Sequence, residues 1–201
     1  MRDQFAFYGI GAGDRRAIFN SVIAVHPLPE DPPELADLVD GFLDRPQREW
    51  HYCAVSALRA QGKRLSGEHW GIVETIATTH PWWDTIDELA KHVAGRIVKN
   101  DLSQVAVMDR WVRSDDMWLA RVALLHQLGF KHTTDVDRLF AYCGLRANET
   151  DFFFRKAIGW ALRQYAYEDP EAVQTFVAER DALLSPLTKR EALKNIGELT
   201  T

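Results

Sequence analysis

The chain of 201 residues is poor in the features that announce a chemistry. It has two cysteines, Cys53 and Cys143, each inside an apolar, helix-like run ("HYCAVSAL", "LFAYCGL"), so buried free thiols are expected rather than a disulfide. Its seven histidines are scattered, and no HxxxH, CxxC or HExxH spacing occurs, which argues against a zinc site and leaves no metal or cofactor to expect. "GIGAG" at 9–13 follows no strand-like run and fits neither dinucleotide fingerprint, and there is no GxSxG elbow. No apolar run approaches the roughly 18 residues needed to cross a bilayer, and the start "MRDQFAFYGIGAGDRR" has no signal-peptide stretch, so a cytoplasmic protein without membrane contact is expected. Basic charge is also in deficit: 24 Lys and Arg stand against 29 Asp and Glu, a net of −5. That balance alone argues against a nucleic-acid partner.

What remains is helical. Period-2 alternation is nearly absent, whereas "LADLVDGFL" and "VDRLFAYCGL" repeat apolar residues at three and four, as an amphipathic helix requires. "HPLPEDPP", "QGKRLSG", "HTTD" and "LSPLT" punctuate these segments as turns. Similar aromatic or apolar helix starts recur at Trp50, Trp83, Trp118, Phe153 and Leu187, spaced by 33, 35, 35 and 34 residues. A second helical segment lies in each interval: "GEHWGIVETIA", "LSQVAVMDRWV", "TDVDRLFAYCG" and "PEAVQTFVAER". A period near 34 with two helices per unit predicts an all-α fold, an α-solenoid of HEAT-like repeats with a concave face. The whole chain, 1–201, reads as one such domain. Charge is uneven along it: residues 110–163 carry nine Lys and Arg against six acids.

Two stretches place tryptophan where a core stripe does not want it. In "HPWWDTIDELA", Pro81 suits a first helical position, and Trp82, Ile86, Leu89 and Val93 form the predicted core stripe. Trp83 and Asp87 then fall on a neighbouring face, one turn apart. In "FFFRKAIGWALRQY", Phe154, Ile158, Ala161 and Tyr165 make the stripe, supported by Ala157. Lys156, Trp160 and Arg163 lie off it, and "WLARVALLHQ" presents Arg121 on the intervening unit. A tryptophan off the stripe in a repeat stack most often packs on the next repeat, and an Asp near a helix start is favourable to the helix dipole. Alternatively, side-by-side second helices align these faces into one cleft holding two tryptophans, a carboxylate and several cations.

"FYGI", "WWDTID", "WLARVALLHQ", "DFFFRKAIGWALRQY" followed by "DPEAV", and "LSPLTKREALK" resemble, in this order, the DNA alkylation repair family of HEAT-like-repeat DNA glycosylases. The likeness runs from residue 5 to 195. It implies a hydrolase of alkylation damage in double-stranded DNA that needs no cofactor and probes the lesion without flipping the base. A monomer is expected, because an exposed solenoid does not require a partner. Its catalytic aspartate matches Asp87 and not Asp84, its active-site tryptophans match Trp83 and Trp160, and a DNA-contacting arginine matches Arg121. Lys156 and Arg163 are the further phosphate contacts this reading implies, with Arg155, Lys189 and Arg190 as weaker ones. Family members commonly carry additional N-terminal helices before "FYGI", with an aromatic that lines the cleft, and this chain starts almost at that motif. The net acidity and the short start keep a second expectation alive, a non-catalytic DNA-binding or scaffolding module. A protein-binding solenoid indifferent to DNA is a third.

Overall fold

A computed structural model describes residues 3–194 and 196–199, with the side chains of 198 and 199 not described. Among the described residues the secondary structure is helical, and the only extended pairing is an isolated parallel bridge between Ala6 and Gln47. Contacts divide the chain into two compact units, one ending at Gln104 and the other beginning at Val105.

The first unit holds α1 (Ala12–Val25), α2 (Pro32–Leu43), α3 (Arg48–Gln61), α4 (Trp70–Thr78), α5 (Trp83–Leu89) and α6 (Gly95–Asn100). A single π turn, Ala90–Ala94, joins α5 to α6, with the Gly95 N–H donating back to the Ala90 carbonyl. Leu35, Val39, Ala54, Leu58, Val73, Ile86, Leu89, Val93 and Ile97 are fully buried in its core. Ahead of these helices one side chain gathers three backbone groups of the N-terminal segment: the Glu49 carboxylate accepts the backbone N–H groups of Tyr8, Gly9 and Ile10 at 3.1, 2.9 and 3.2 Å. Burial pushes the Glu49 carboxyl up, but these amides and its own more than offset it, and its pKa lies below the usual range. Gly9, at φ +87°, supplies the left-handed turn that lets three successive N–H groups converge.

The second unit holds α7 (Val105–Trp111), α8 (Met117–Leu125), α9 (Val136–Leu145), α10 (Phe152–Tyr165), α11 (Pro170–Glu179), α12 (Pro186–Ala192) and α13 (Ile196–Leu199). Short polar residues start its helices. Asp116, Asp135, Asp151, Asp169 and Ser185 each accept a backbone N–H of the first turn of α8 to α12 in turn, which satisfies donors that a helix start leaves unpaired. Pro170 and Pro186 follow two of these caps, where a missing N–H costs nothing. Two of the turn signals, "HTTD" and "LSPLT", therefore hold helix caps. α3, α5, α8, α10 and α12 begin at Arg48, Trp83, Met117, Phe152 and Pro186, in step with the repeat, and α4, α7, α9 and α11 occupy the intervals. No described helix is long and apolar enough to cross a membrane.

Two local expectations are corrected. Pro81 does not begin a helix: Trp82, at φ −157° and ψ 157°, is the N-cap, and α5 starts at Trp83. The backbone is still extended at Trp82 because His80, at φ +51°, turns the chain just before it. Cys143 is a buried free thiol, pushed up to about 12 by burial, whereas Cys53 is free but only half-buried, on the side of α3 that lines an open groove.

His126, at the end of α8, is 1 % exposed, and its Nδ1 lies 2.7 Å from the Ala123 carbonyl. Burial drives its pKa from 6.5 down to about 4. Between those values the unfolded chain binds a proton that the folded protein refuses, so stability rises with pH across this window. The contribution is complete above about pH 6.5, and about 3 kcal/mol of it is lost by about pH 4. Urea unfolding from about pH 7 down to about pH 4 is expected to show this decline, with a flatter profile for His126→Gln. An equally steep profile in the variant assigns the decline to other groups.

Candidate nucleic-acid interface

In the first unit, the start of α5 is fixed by a buried arginine. Arg48, fully buried on α3, sends Nη2 to Asp84 Oδ1 at 2.6 Å and to Thr85 Oγ1 at 2.9 Å, and Nη1 to the His80 carbonyl at 2.7 Å. The Tyr52 hydroxyl also donates to Asp84, and burial followed by this carboxylate pushes the phenol up to about 12, so it keeps its proton. Asp84 additionally accepts the Thr85 N–H at 2.9 Å. Asp84 is thus tied to Arg48, Tyr52 and Thr85, at the edge of the groove that Cys53 lines. Arg48 stacks at 4.0 Å over Phe5, and His51, against which Phe5 packs edge-on, stacks on His80.

One turn after Trp83, Asp87 is half-buried, and Trp83 itself is 45 % exposed, the most exposed tryptophan of the described chain. Ile86 and Leu89 between and beyond them are fully buried. The separation of faces expected from the helical period is therefore present: core on one side, an aromatic ring and an acid on the other. An open groove of about 740 Å³ in this unit is lined by Phe7, Arg15, Phe19, Tyr52, Cys53 and Glu88 among others, and Trp83 and Asp87 are not part of it.

In the second unit, α10 carries the remaining candidates. Phe154, Ala157, Ile158 and Ala161 are buried as the stripe requires, Tyr165 is half-buried, and Lys156, Trp160 and Arg163 are half-buried on the other side. Lys156 Nζ meets Glu191 Oε1 at 2.8 Å and Arg163 Nη1 meets Glu191 Oε2 at 3.0 Å. Both cations are thereby gathered onto one carboxylate from α12. The hydrogen bond from Lys156, then the charges of Lys156 and Arg163, hold the Glu191 carboxyl below the usual range. Sequence reasoning missed Glu191, although it sits next to Arg190; nothing local distinguishes it from an ordinary helix acid.

The close approach of α12 depends on Gly159. A Cβ there would stand 2.5 Å from Glu191 Cβ and 2.9 Å from the Thr188 carbonyl oxygen, and the second is backbone that cannot swing aside. Gly159→Ala is expected to destabilise the protein by about 1–3 kcal/mol despite the better helix propensity of alanine. It also displaces Glu191 from its two cations. A urea midpoint equal to or above that of the wild type would contradict this packing.

Arg121 is not an open surface cation. It is 4 % exposed, because Leu119 to Leu125 of α8 are all buried, and its Nη1 donates to the Phe153 carbonyl at 2.5 Å. Its guanidinium also lies 5.9 Å from the Phe153 ring. Arg155 is half-buried, with Nε donating to the Glu149 carbonyl at 3.1 Å, while its own carbonyl accepts the Thr188 hydroxyl at 3.2 Å. Lys189 pairs with Asp181 at 2.7 Å, and Arg190 is exposed.

Among known proteins, the family model described as DNA alkylation repair enzyme matches residues 1–196. No curated protein matches. A solved structure described as a predicted DNA alkylation repair enzyme from Enterococcus faecalis is 28% identical, with a TM-score of 0.88 over 98% of this chain and 91% of that one. The crystal structure of smu.31 from Streptococcus mutans shares the fold, with a TM-score of 0.68 at 14% identity over 90% of this chain and 92% of that one. An all-helical chain with helix pairs in a 34-residue rhythm, matched by that model over nearly its full length, belongs to the DNA alkylation repair enzyme family.

Proposed function

We propose that the protein is a monofunctional DNA glycosylase that hydrolyses the N-glycosidic bond of purines carrying a cationic N3- or N7-alkyl adduct. The observation that carries this reading is the outer face of α5, where an exposed Trp83 is followed one turn later by Asp87 while Asp84 is withdrawn into the Arg48 network. A purine alkylated at N3 or N7 already bears a positive charge. When its bond to C1′ breaks, the electron pair leaves with the base and neutralises it, so no general acid is needed. Charge then develops on the sugar as an oxocarbenium ion. A fixed carboxylate stabilises that ion, and Asp87 also orients the water that adds to C1′ and loses its proton. The products are a neutral free base and an abasic strand.

Trp83 gives the sugar an aromatic surface that excludes water and attracts positive charge. In the second unit, the half-buried Trp160 offers an aromatic ring on the face that carries Lys156 and Arg163. Trp83 is 45 % exposed and is not among the residues that line the groove of about 740 Å³, which suits a base left in the stack rather than flipped into that groove. Lys156 and Arg163, gathered by Glu191, contact phosphates without reading sequence, with Arg190, Lys189 and Arg155 as outer contacts. Arg121 acts as a positioning residue, since its bond to the Phe153 carbonyl fixes the first turn of the helix that carries Trp160.

The test is release of free base from a duplex holding one 7-methylguanine. Multiple-turnover release supports the reading. Salt-sensitive duplex binding with no base released would instead favour a non-catalytic DNA-binding member.

A further inference from the structure

The helix that presents Trp83 and Asp87 starts without a capping side chain. Trp82 at its N-cap position offers no side-chain acceptor to the first turn, whereas α8 to α12 each begin on an Asp or Ser that does. α5 is also only 7 residues long before it enters the π turn. A helix this short has little order of its own, so what aims it must come from its packing partners.

Arg48 supplies that aim from α3. Besides Asp84 and Thr85, its guanidinium reaches the His80 carbonyl, and Nη1 lies 3.1 Å from His51 Nδ1. An arginine only donates, so His51 Nδ1 is the acceptor, and Nε2, 2.9 Å from the Arg45 carbonyl, carries the imidazole proton. The Thr85 hydroxyl that accepts from Arg48 donates in turn to the Trp82 carbonyl at 3.1 Å. One fork therefore fixes His80, Trp82, Asp84 and Thr85, on both sides of Trp83. Around the α5 axis, Asp84 stands about 60° from Asp87 and Thr85 about 160°. Held at two such points, the helix cannot turn about its axis without breaking a bond to Arg48.

Stability is a poor reason for this arrangement. A fully buried guanidinium gives up its water, and well-packed apolar residues of similar volume commonly serve a core as well or better. What apolar contacts do not supply is direction, which the planar fork of an arginine imposes through its hydrogen bonds.

We propose that Arg48 is a positioning residue for base release: it sets the rotation of α5, and so the distance and angle at which Asp87 meets the charge developing at C1′. Being fully buried, it touches neither base nor sugar itself. This rests on the reading of the protein as a glycosylase with Asp87 as its carboxylate. A misplacement of about 1 Å, made far from the chemistry, is enough to slow a reaction on the order of 100-fold. Arg48 thus acts on the chemical step and leaves duplex binding alone.

Single-turnover release of 7-methylguanine is followed at saturating full-length protein, alongside duplex affinity by fluorescence anisotropy and the urea midpoint. Arg48→Lys keeps a cation for Asp84 but loses the fork, and Arg48→Met with Asp84→Leu removes both charges together. Leu35→Ala truncates a fully buried residue of α2 and loosens the same unit with the fork intact. Both Arg48 variants are expected to release base about 10- to 100-fold more slowly, with duplex affinity held. Leu35→Ala is expected to lower the urea midpoint and keep the wild-type rate. Where circular dichroism shows the double variant unfolded, Arg48→Lys carries the comparison. Release at the wild-type rate by a folded Arg48 variant overturns the proposal and leaves the glycosylase reading standing. An equal slowing by Leu35→Ala also overturns it, because Arg48 would then serve stability alone. A wild type that releases no base overturns both.

Discussion

Asp87→Asn is expected to slow release of 7-methylguanine from duplex DNA by roughly 100- to 1000-fold at saturating protein, the scale of losing one preorganised electrostatic group. The substitution is nearly isosteric, removing the charge and turning one acceptor oxygen into an NH2 donor, and the buried neighbours Ile86 and Leu89 keep the core face of the helix unchanged. Duplex affinity is expected to hold or rise slightly, because a negative charge near phosphates has been removed. A variant that releases base at the wild-type rate takes Asp87 out of the mechanism. A variant that fails to fold is distinguished by circular dichroism, and Asp87→Ala then serves as the second test of the charge.

Asp84→Ala is expected to behave in the opposite manner. Three residues upstream on the same helix, this acid holds the fully buried Arg48, and its loss strands a guanidinium away from water. Breaking a buried pair by removing one partner costs about 3–5 kcal/mol. The Tyr52 hydroxyl loses its acceptor at the same time. The urea midpoint falls accordingly, and Arg48→Met, Asp84→Leu together recovers part of the loss because no uncompensated charge is left behind. If Asp84→Ala were neutral for stability and Asp87→Asn were strongly destabilising, the two roles assigned here would be reversed.

Much of this was legible in the sequence because it depends on short spacings. Helix starts repeat at about 34 residues because each repeat is a two-helix unit, and Asp or Ser before an apolar run marks a start because a helix needs a cap there. Trp83 and Asp87 stood out because three- and four-residue periodicity assigns the core to their neighbours. The placement of Trp82 was not legible. Its position as N-cap depends on the left-handed turn at His80 and on Arg48 reaching across to the His80 carbonyl, 32 residues away in sequence. Glu191 was hidden for the same reason: it meets Lys156 and Arg163 only because Gly159 lets α12 approach. Arg121 reads as a surface cation by composition, and its burial follows from α8 being apolar on every side. The π turn at Ala90–Ala94 has no sequence signature.

The account turns on one chemical claim, that a carboxylate alone suffices because the departing base is already cationic. It is tested most directly by a single-turnover comparison of two otherwise identical duplexes, one with 7-methylguanine and one with uracil, a neutral base that needs help to leave. Release of free base and an abasic strand from the first, and none from the second, is the expected result. Equal release from both would require a leaving-group acid that Asp87 does not provide, and release from neither, with the duplex bound, would contradict the glycosylase reading itself.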